Sequence, residues 1–336
     1  MSLEVPADLL RRPAGEAVRR LALGYLEQAD AAGARLANPD DTEALHDFRV
    51  ALRRLRSCLR AYRDTMGDAL SKKQLRRLRR LGRATNAGRE AEVALAWLEE
   101  RRAQVGRAER GALAALGEHF REAKERAYAR VRGEVAGAYG RLAAGLRRRL
   151  SAYEIAVDLA HEEPPPALAA ALAPLLHQHA ARLAADLAAL SSPDGEALHR
   201  ARISAKRLRY LLEPLRAELP AVGALLDRLK ALQDLSGELH DLQVLGDVVA
   251  ERLAEQAADR ARARFAVALA RGSRSFAARR TARRGLPGAL VVADLLGTRR
   301  DDLWAELERR WLGGRGEEFC ADVELLASGV AGAAAS

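Results

Sequence analysis

Residues 44–56 read ALHDFRVALRRLR, and residues 197–209 read ALHRARISAKRLR. The two stretches align without a gap at an offset of 153 residues, which is nearly half of the chain. Further along, residues 81–93 and 232–244 resemble each other at an offset of 151 residues. Similarity that covers two segments in the same order indicates a duplicated domain.

The repeated stretch carries a row of positive charge. A helix advances by about 100° per residue, so cations three and four residues apart share one face. Like charges at this spacing repel each other, and a bound polyanion would relieve the repulsion. The first row contains His46, Arg49, Arg53, Arg56, Arg60 and Arg63, and the second contains His199, Arg202, Lys206, Arg209 and Arg216, with Glu213 interrupting it.

The composition favours a helical protein with acidic partners. A chain of 336 residues is long enough for two domains. Apolar residues make up 49% of it and aromatic residues only 4%, so a core can form from Ala and Leu with little strand-forming material. The formal net charge of +10 favours nucleic acid, an anionic membrane or a phosphate polymer as partner.

Two isolated cysteines, Cys58 and Cys320, form no metal-binding or disulfide pattern and indicate a reduced, cytosolic setting. The first residues lack the charged and apolar regions of a signal peptide. No apolar stretch has the length of a membrane span. We therefore expect a cytoplasmic protein with no transmembrane segment.

Helical periodicity runs along almost the whole chain, with a break at the proline triplet Pro164–Pro166. We divide the chain into an N-terminal bundle (1–161), a linker (162–166), a C-terminal bundle (167–315) and a C-terminal tail (316–336), which we expect to be frayed after about residue 327. Within these units we expect a break around 133–140 and two separate helices near 222–236 and 239–257. The fold class is all-α, with two tandem helical bundles that arise from the duplication.

No catalytic or metal-binding pattern is present. His177 and His179 lie two apart, on different sides of a helix, and cannot hold one metal together. Glu90 and Glu92 are likewise separated, which makes them a poor acid–base pair. We expect no catalytic residue, no metal and no cofactor, and therefore a protein that is not an enzyme.

The two copies of Leu-His-x-x-Arg-x-x-x-Arg/Lys-Arg-Leu-Arg resemble the CHAD family, the conserved histidine α-helical domain. The segments after them, Arg89-Glu90-Ala91-Glu92-Val93 and His240-Asp241-Leu242-Gln243-Val244, strengthen the resemblance. It covers roughly residues 15–315. It implies two bundles related by a pseudo-twofold axis around a basic central channel that binds inorganic polyphosphate. A protein of this kind could associate with polyphosphate granules.

The resemblance implies a set of polyphosphate-binding residues. Charge and position along the chain add further residues to this set. The repeat helices supply His46, Arg49, Arg53, Arg54, Arg56, Arg60, His199, Arg202, Lys206, Arg207 and Arg209, and further wall residues are Lys72, Lys73, Arg76, Arg79, Arg80, Arg228 and Lys230. The arginines around His46 and His199 should favour the neutral imidazole in the free protein, because like charges disfavour the cation.

Two other functions stay open at this point. Nucleic acid is the second choice as partner, through its phosphate backbone, because few aromatic residues are available for base stacking. Hydrolysis of polyphosphate or a nucleotide is the third choice of function. Phosphoryl transfer generally needs carboxylates that hold a divalent metal, and no such cluster of carboxylates is visible in the sequence.

Overall fold

The computed structural model describes residues 6, 8–38, 41, 43–67, 70–152, 165–193, 195–271 and 287–335. These residues are helical apart from short connections, and none of them lies in a β-strand. The predicted all-α class is confirmed. Most of the predicted linker falls outside the described residues, which resume at Pro165.

The N-terminal half contains α1 (Ala14–Arg35), α2 (Ala44–Ala61), α3 (Arg63–Met66), α4 (Lys72–Ala84), α5 (Asn86–Arg101), α6 (Arg107–Arg130) and α7 (Ala136–Ser151). The C-terminal half contains α8 (Leu168–Ala188), α9 (Glu196–Leu212), α10 (Val222–Arg271), α11 (Pro287–Trp311) and α12 (Gly314–Ala335). The two repeated stretches of the sequence are therefore α2 and α9.

The start of α4 is set by a reciprocal cap. The Ser71 hydroxyl accepts a hydrogen bond from the backbone N–H of Gln74 at 3.2 Å, and the Gln74 side chain accepts one from the backbone N–H of Ser71 at 2.9 Å. These bonds satisfy two backbone donors that a helix start leaves open. The basic helix α4 therefore starts directly after Ser71.

The predicted break around 133–140 is wrong. The backbone passes from α6 to α7 through one π-helical turn, Val131–Val135, without leaving the helical path. Val131 and Val135 are both buried there, so the turn directs two apolar side chains into the core. A π turn of this kind absorbs one extra residue within a helix.

The prediction of two separate helices near 222–236 and 239–257 is also wrong, because α10 runs unbroken from Val222 to Arg271. Its interior holds no proline, and Gly237 costs only about 1 kcal/mol relative to alanine in a helix. The first part of the Arg-rich segment 258–285 belongs to this helix, and the remainder lies outside the described residues.

The prediction of a frayed tail is wrong, because residues 314–335 form α12. Phe319, Val323 and Ala327 are completely buried where α12 packs along α8. The apolar residues recur at helical spacing, so one stripe of α12 completes the core of the C-terminal half.

The buried apolar residues of both halves form one continuous cluster. Helix α1 packs along α2, α8 packs along α9, and α2 crosses α9. The starts of α1 and α8 are joined, since the Ala14 N–H donates to the Pro166 carbonyl at 2.9 Å and the Leu168 N–H donates to the Arg12 carbonyl at 2.8 Å. This packing brings the two repeat helices together.

Candidate anion-binding site

Each repeat helix buries one face and leaves its cations on another. In α2, Phe48, Leu55 and Leu59 are completely buried. In α9, Ala205 and Leu208 are completely buried. Because the apolar stripes face α1 and α8, the basic rows of α2 and α9 are left to face each other and the solvent.

Four cations meet where α2 and α9 cross: Arg49 and Arg53 from α2, and Arg202 and Lys206 from α9. We call them the central cluster. Burial, together with the positive charges of Arg202, Arg53 and Arg49, lowers the pKa of Lys206 to about 6, while Asp241 acts in the opposite direction. The influence of both α2 arginines on a lysine of α9 shows that residues from the two repeats share one electrostatic environment.

The central cluster contains two buried donors. The Nε atoms of Arg53 and Arg202 reach no acceptor among the residues that the structure describes. Buried N–H groups are rarely left unsatisfied, since each costs about 1–3 kcal/mol. The guanidinium of Arg53 lies 5.8 Å from the centroid of the Tyr210 ring, which holds it towards α9. An acceptor such as a phosphate oxygen would satisfy both donors.

Arg49 is held in place by the junction of α4 and α5. Its Nη1 donates to the Thr85 hydroxyl at 2.7 Å and to the Asn86 side-chain oxygen at 3.1 Å. Burial, together with the charges of Arg53 and Arg89, lowers the pKa of Arg49 to about 10. Neutral partners position the guanidinium without cancelling its charge.

Histidines lie beside the central cluster on both sides. Burial, followed by the charges of Arg89 and Arg53, lowers the pKa of His46. The rings of His199 and His240 lie with their centroids 5.9 Å apart. Burial lowers the pKa of His240 to about 4, and Arg202 and His199 contribute to the lowering. At neutral pH, His46 and His240 are therefore uncharged.

Glu90 and Glu92 of α5 partly offset the lowering of the Arg49 pKa, and a further carboxyl group, Asp241 of α10, acts on Lys206. Burial raises the pKa of Asp241, although Arg202, Arg89 and Lys206 act to lower it. A carboxyl group whose ionisation is disfavoured neutralises the cations only weakly. The central cluster therefore keeps a positive field.

A second group of cations extends along the C-terminal part of α2. It contains Arg56, Arg60 and Arg207, and burial together with mutual repulsion lowers the pKa of Arg56 and of Arg207. Arg79 and Arg83 of α4 add to the positive field at Arg56. We call Arg56, Arg60 and Arg207 the outer cluster.

At the opposite side of the crossing, the cations are paired. The Arg54 Nε lies 2.7 Å from Glu213 Oε2, and the Arg209 Nε lies 2.9 Å from Glu213 Oε1. Arg209 Nη1 also donates to the Gln233 side chain at 2.9 Å. These two arginines are held as structural links between α2, α9 and α10.

The remaining predicted residues lie further out. The exposed cations of α4 include Lys72, Lys73, Arg76 and Arg80. The positive charge of Arg79, on the same helix, helps to lower the pKa of Arg56. Arg228 pairs with Asp322 of α12 at 2.7 Å and lies over the Phe319 ring. Lys230 pairs with Asp234 at 2.6 Å. The structure does not bring Arg228 and Lys230 into the two clusters of unpaired cations.

Several residues beside the site were absent from the predicted set: Arg89, His240, Asp241 and Thr85. The offset of 151 residues aligns Arg89 with His240, and both lie beside a repeat histidine in the structure. The similarity between residues 81–93 and 232–244 could therefore have identified Arg89 and His240 as site residues. Thr85 gave no signal of its own, because its role depends on the contact between α2 and the junction of α4 and α5.

The arrangement is suited to binding an anion. Arginine side chains present planar forks of donors that match phosphate oxygens. Within the described part of the chain, no group of three His, Cys, Asp or Glu side chains converges in a way that could hold a metal ion. The helices of the described residues include none with the length and apolar character needed to span a membrane.

Fold and site together define an all-α protein with a basic crossing of two helices. The sequence matches the CHAD domain over residues 20–250, and the chain belongs to the CHAD domain family. Among solved structures, the chain is similar to the CHAD domain from the plant Ricinus communis, at 20% identity and a TM-score of 0.62, over 96% of both chains. It is also similar to PptA from Streptomyces chartreusis, at 17% identity and a TM-score of 0.54, over 95% of this chain and 100% of that one. At these identities the similarity shows the fold alone. No curated protein matches the chain.

Proposed function

We propose that the protein binds inorganic polyphosphate at the crossing of α2 and α9, and that it does so without catalysing a reaction. The observation that carries the proposal is the central cluster, in which four basic side chains from two helices meet and two buried donors lack a partner within the described part of the chain. Membership of the CHAD domain family supports it, since the family is associated with polyphosphate binding.

The charge arrangement favours a polymer over a single phosphate. The central and outer clusters together contain six arginines and Lys206, spread along two helices. A polymer can contact many of them at once, so that individually weak contacts act at high effective concentration. Each charge-assisted hydrogen bond adds about 1.5–3 kcal/mol.

The burial of the cluster favours a polyanion without bases. Arg49, Arg53, Arg202 and Lys206 are all partly buried rather than exposed on a flat surface. A nucleic-acid duplex carries its phosphates on the outside of a wide rod, while inorganic polyphosphate has neither sugar nor base and can reach recessed cations. Nucleic acid is therefore the second candidate, bound by the exposed cations of α4.

Competition between the two polyanions tests the proposal. Polyphosphate of defined length is titrated against the full chain by calorimetry, at several salt concentrations, with duplex DNA of matched charge as the control. We expect polyphosphate to bind more tightly than DNA and the affinity to fall as salt rises, because bound counterions are released. DNA affinity equal to or above that of polyphosphate would contradict the proposal.

The claim that binding occurs without catalysis has its own test. Pure protein is incubated with polyphosphate and with nucleoside triphosphates, with and without Mg²⁺ or Mn²⁺, and released phosphate is measured. We expect no release above the buffer control. Metal-dependent release that scales with protein concentration would show an enzyme instead.

A further inference from the structure

The ends of the two repeat helices differ in charge. At the offset of 153 residues, Arg60 of the first repeat aligns with Glu213 of the second, while Arg54 aligns with Arg207. The two repeats therefore both carry an arginine at the Arg54 and Arg207 positions, but they carry opposite charges at the Arg60 and Glu213 positions. The structure shows what this difference does to each side of the crossing.

On the Glu213 side, the cations are already neutralised. The Glu213 carboxylate binds Arg54 at 2.7 Å and Arg209 at 2.9 Å, one with each oxygen. Its side chain is only 14% exposed, so water screens these pairs weakly. An anion that approached this side would have to compete with a resident carboxylate and would meet its negative charge.

On the Arg60 side, the equivalent contact is repulsive. Arg207 lies close enough to Arg60 and Arg56 for their charges, after burial, to lower its pKa. The described residues place no carboxylate within 4 Å of the guanidinium nitrogens of Arg56, Arg60 or Arg207, although the more distant Asp186 acts to raise the pKa of Arg207. The Nδ1 atom of the neighbouring His179 is buried and reaches no partner among the described residues. This side therefore has unpaired cations and an unsatisfied polar atom.

We propose that bound polyphosphate leaves the central cluster in one direction only, along the outer cluster, and that Glu213 closes the other direction. This inference rests on the proposed function. Phosphate groups beyond the central cluster lie against Arg56, Arg60 and Arg207, where they supply the negative charge that Glu213 supplies on the opposite side. The site is thus one-ended, although the repeat that builds it is nearly symmetric.

A pair of equivalent variants tests the direction. Arg207→Gln and Arg54→Gln remove the same charge from aligned positions of the two repeats. Their affinities for tripolyphosphate and for a long polyphosphate chain are measured by calorimetry, with circular dichroism as a check of folding. We expect Arg207→Gln to weaken long-chain binding about tenfold, because one charge-assisted contact is lost, and to change tripolyphosphate binding less than twofold. We expect Arg54→Gln to change both affinities less than twofold.

Equal loss of long-chain affinity in the two variants would overturn the one-ended path and leave polyphosphate binding itself intact. If the wild-type protein does not bind polyphosphate, the proposed function and this inference both fail. If Arg54→Gln does not fold, Glu213→Gln replaces it, with Glu251→Gln on the exposed side of α10 as the charge control. Opening the closed end should then raise long-chain affinity more than the control does. An identical change in long-chain affinity in Glu213→Gln and Glu251→Gln would overturn the inference.

Discussion

At the scale of single residues, the basic side chains of the central cluster are partly buried before any ligand arrives. A charge in a partly buried site shifts towards its neutral form unless a counter-charge is present. Lys206 shows this most clearly, because burial and the surrounding arginines lower its pKa to about 6. At neutral pH the free protein holds this lysine mostly uncharged, and a bound polyanion would restore its charge.

Polyphosphate binding should therefore take up a proton at Lys206. The bound anion raises the lysine pKa, so affinity should fall as pH rises from 6 to 8, since the proton must then be taken from a more alkaline solution. Calorimetry in buffers of different ionisation enthalpy measures the uptake. Lys206→Arg should keep the affinity and lose this pH dependence, and Lys206→Met should lose both. An unchanged slope in both variants would assign the effect to another group. The groups that face the lysine are Arg49, Arg53, Arg202, His240 and Asp241.

His46 should add a pH dependence in a lower range. Burial and the charges of Arg89 and Arg53 lower its pKa below 6.5, so it is neutral in the free protein at pH 7. A polyanion favours the imidazolium, and affinity should rise further as pH falls from about 6.5 to 5.5. His46→Gln should remove this increment and leave the slope between pH 6.5 and 8 unchanged. A wild-type slope below pH 6.5 that persists in His46→Gln would contradict the role given to the histidine.

At the scale of helices, the contact between α2 and the junction of α4 and α5 positions the site. Thr85 is completely buried, accepts from Arg49 and donates to the Gly82 carbonyl at 2.8 Å. One hydroxyl therefore links a binding residue to the end of the basic helix. The charge of Arg49 is untouched by this link, so its effect on binding is one of position.

Thr85→Val should separate position from charge. Valine fills the same volume but leaves the Gly82 carbonyl and the Arg49 guanidinium each without one partner, which should cost about 1–3 kcal/mol of unfolding free energy. Polyphosphate affinity should fall severalfold. Thr85→Ser keeps the hydroxyl and should restore the affinity. Stability is measured by urea denaturation and binding by calorimetry. A loss of binding in Thr85→Ser as large as in Thr85→Val would show that packing, and not the hydroxyl, is responsible.

The sequence predicted the elements better than their contacts. The spacing of the cations placed Arg49, Arg53, Arg202 and Lys206 on one face of their helices, because helical periodicity depends on local sequence alone. Which helices cross depends on packing between distant segments, so the pairing of Arg54 with Glu213 could not be read from the sequence. The pairing of Arg209 with Glu213 joins residues four apart on one helix face, and local spacing alone allows it. The unbroken α10 and the π turn were missed for a different reason: a glycine lowers helix stability without ending the helix.

At the scale of the whole molecule, the C-terminal helix is part of the core rather than an appendage. Phe319 of α12 is completely buried, with its ring centroid 5.3 Å from that of Trp311 and the Arg228 guanidinium over its face. Residues beyond the region matched by the family therefore support the helices that carry the site. Helix α12 reaches the site through α8, which packs against α9.

Phe319→Ala should lower the unfolding free energy by about 3–5 kcal/mol, as for other large aromatic side chains removed from a core. Leu325 lies on the same helix, is 76% exposed and provides the control. Leu325→Ala should change stability by less than about 0.5 kcal/mol. Urea denaturation of the full chain measures both. Equal, small effects would mean that α12 contributes little to the fold.

Two double variants of equal charge test most directly whether polyphosphate binds at the crossing of α2 and α9. Arg53→Gln/Arg202→Gln removes one central-cluster cation from each repeat helix, and Arg148→Gln/Arg309→Gln removes two exposed arginines of α7 and α11. Arg101 is unsuitable as a control because it is buried with its guanidinium 4.4 Å from the Trp97 ring. The measurement is the affinity for long polyphosphate at one salt concentration. We expect a loss of about 100-fold or more in the first variant, because two charge-assisted contacts are removed, and of less than about threefold in the second. Equal losses would contradict it, because net charge and not the crossing of α2 and α9 would then determine binding.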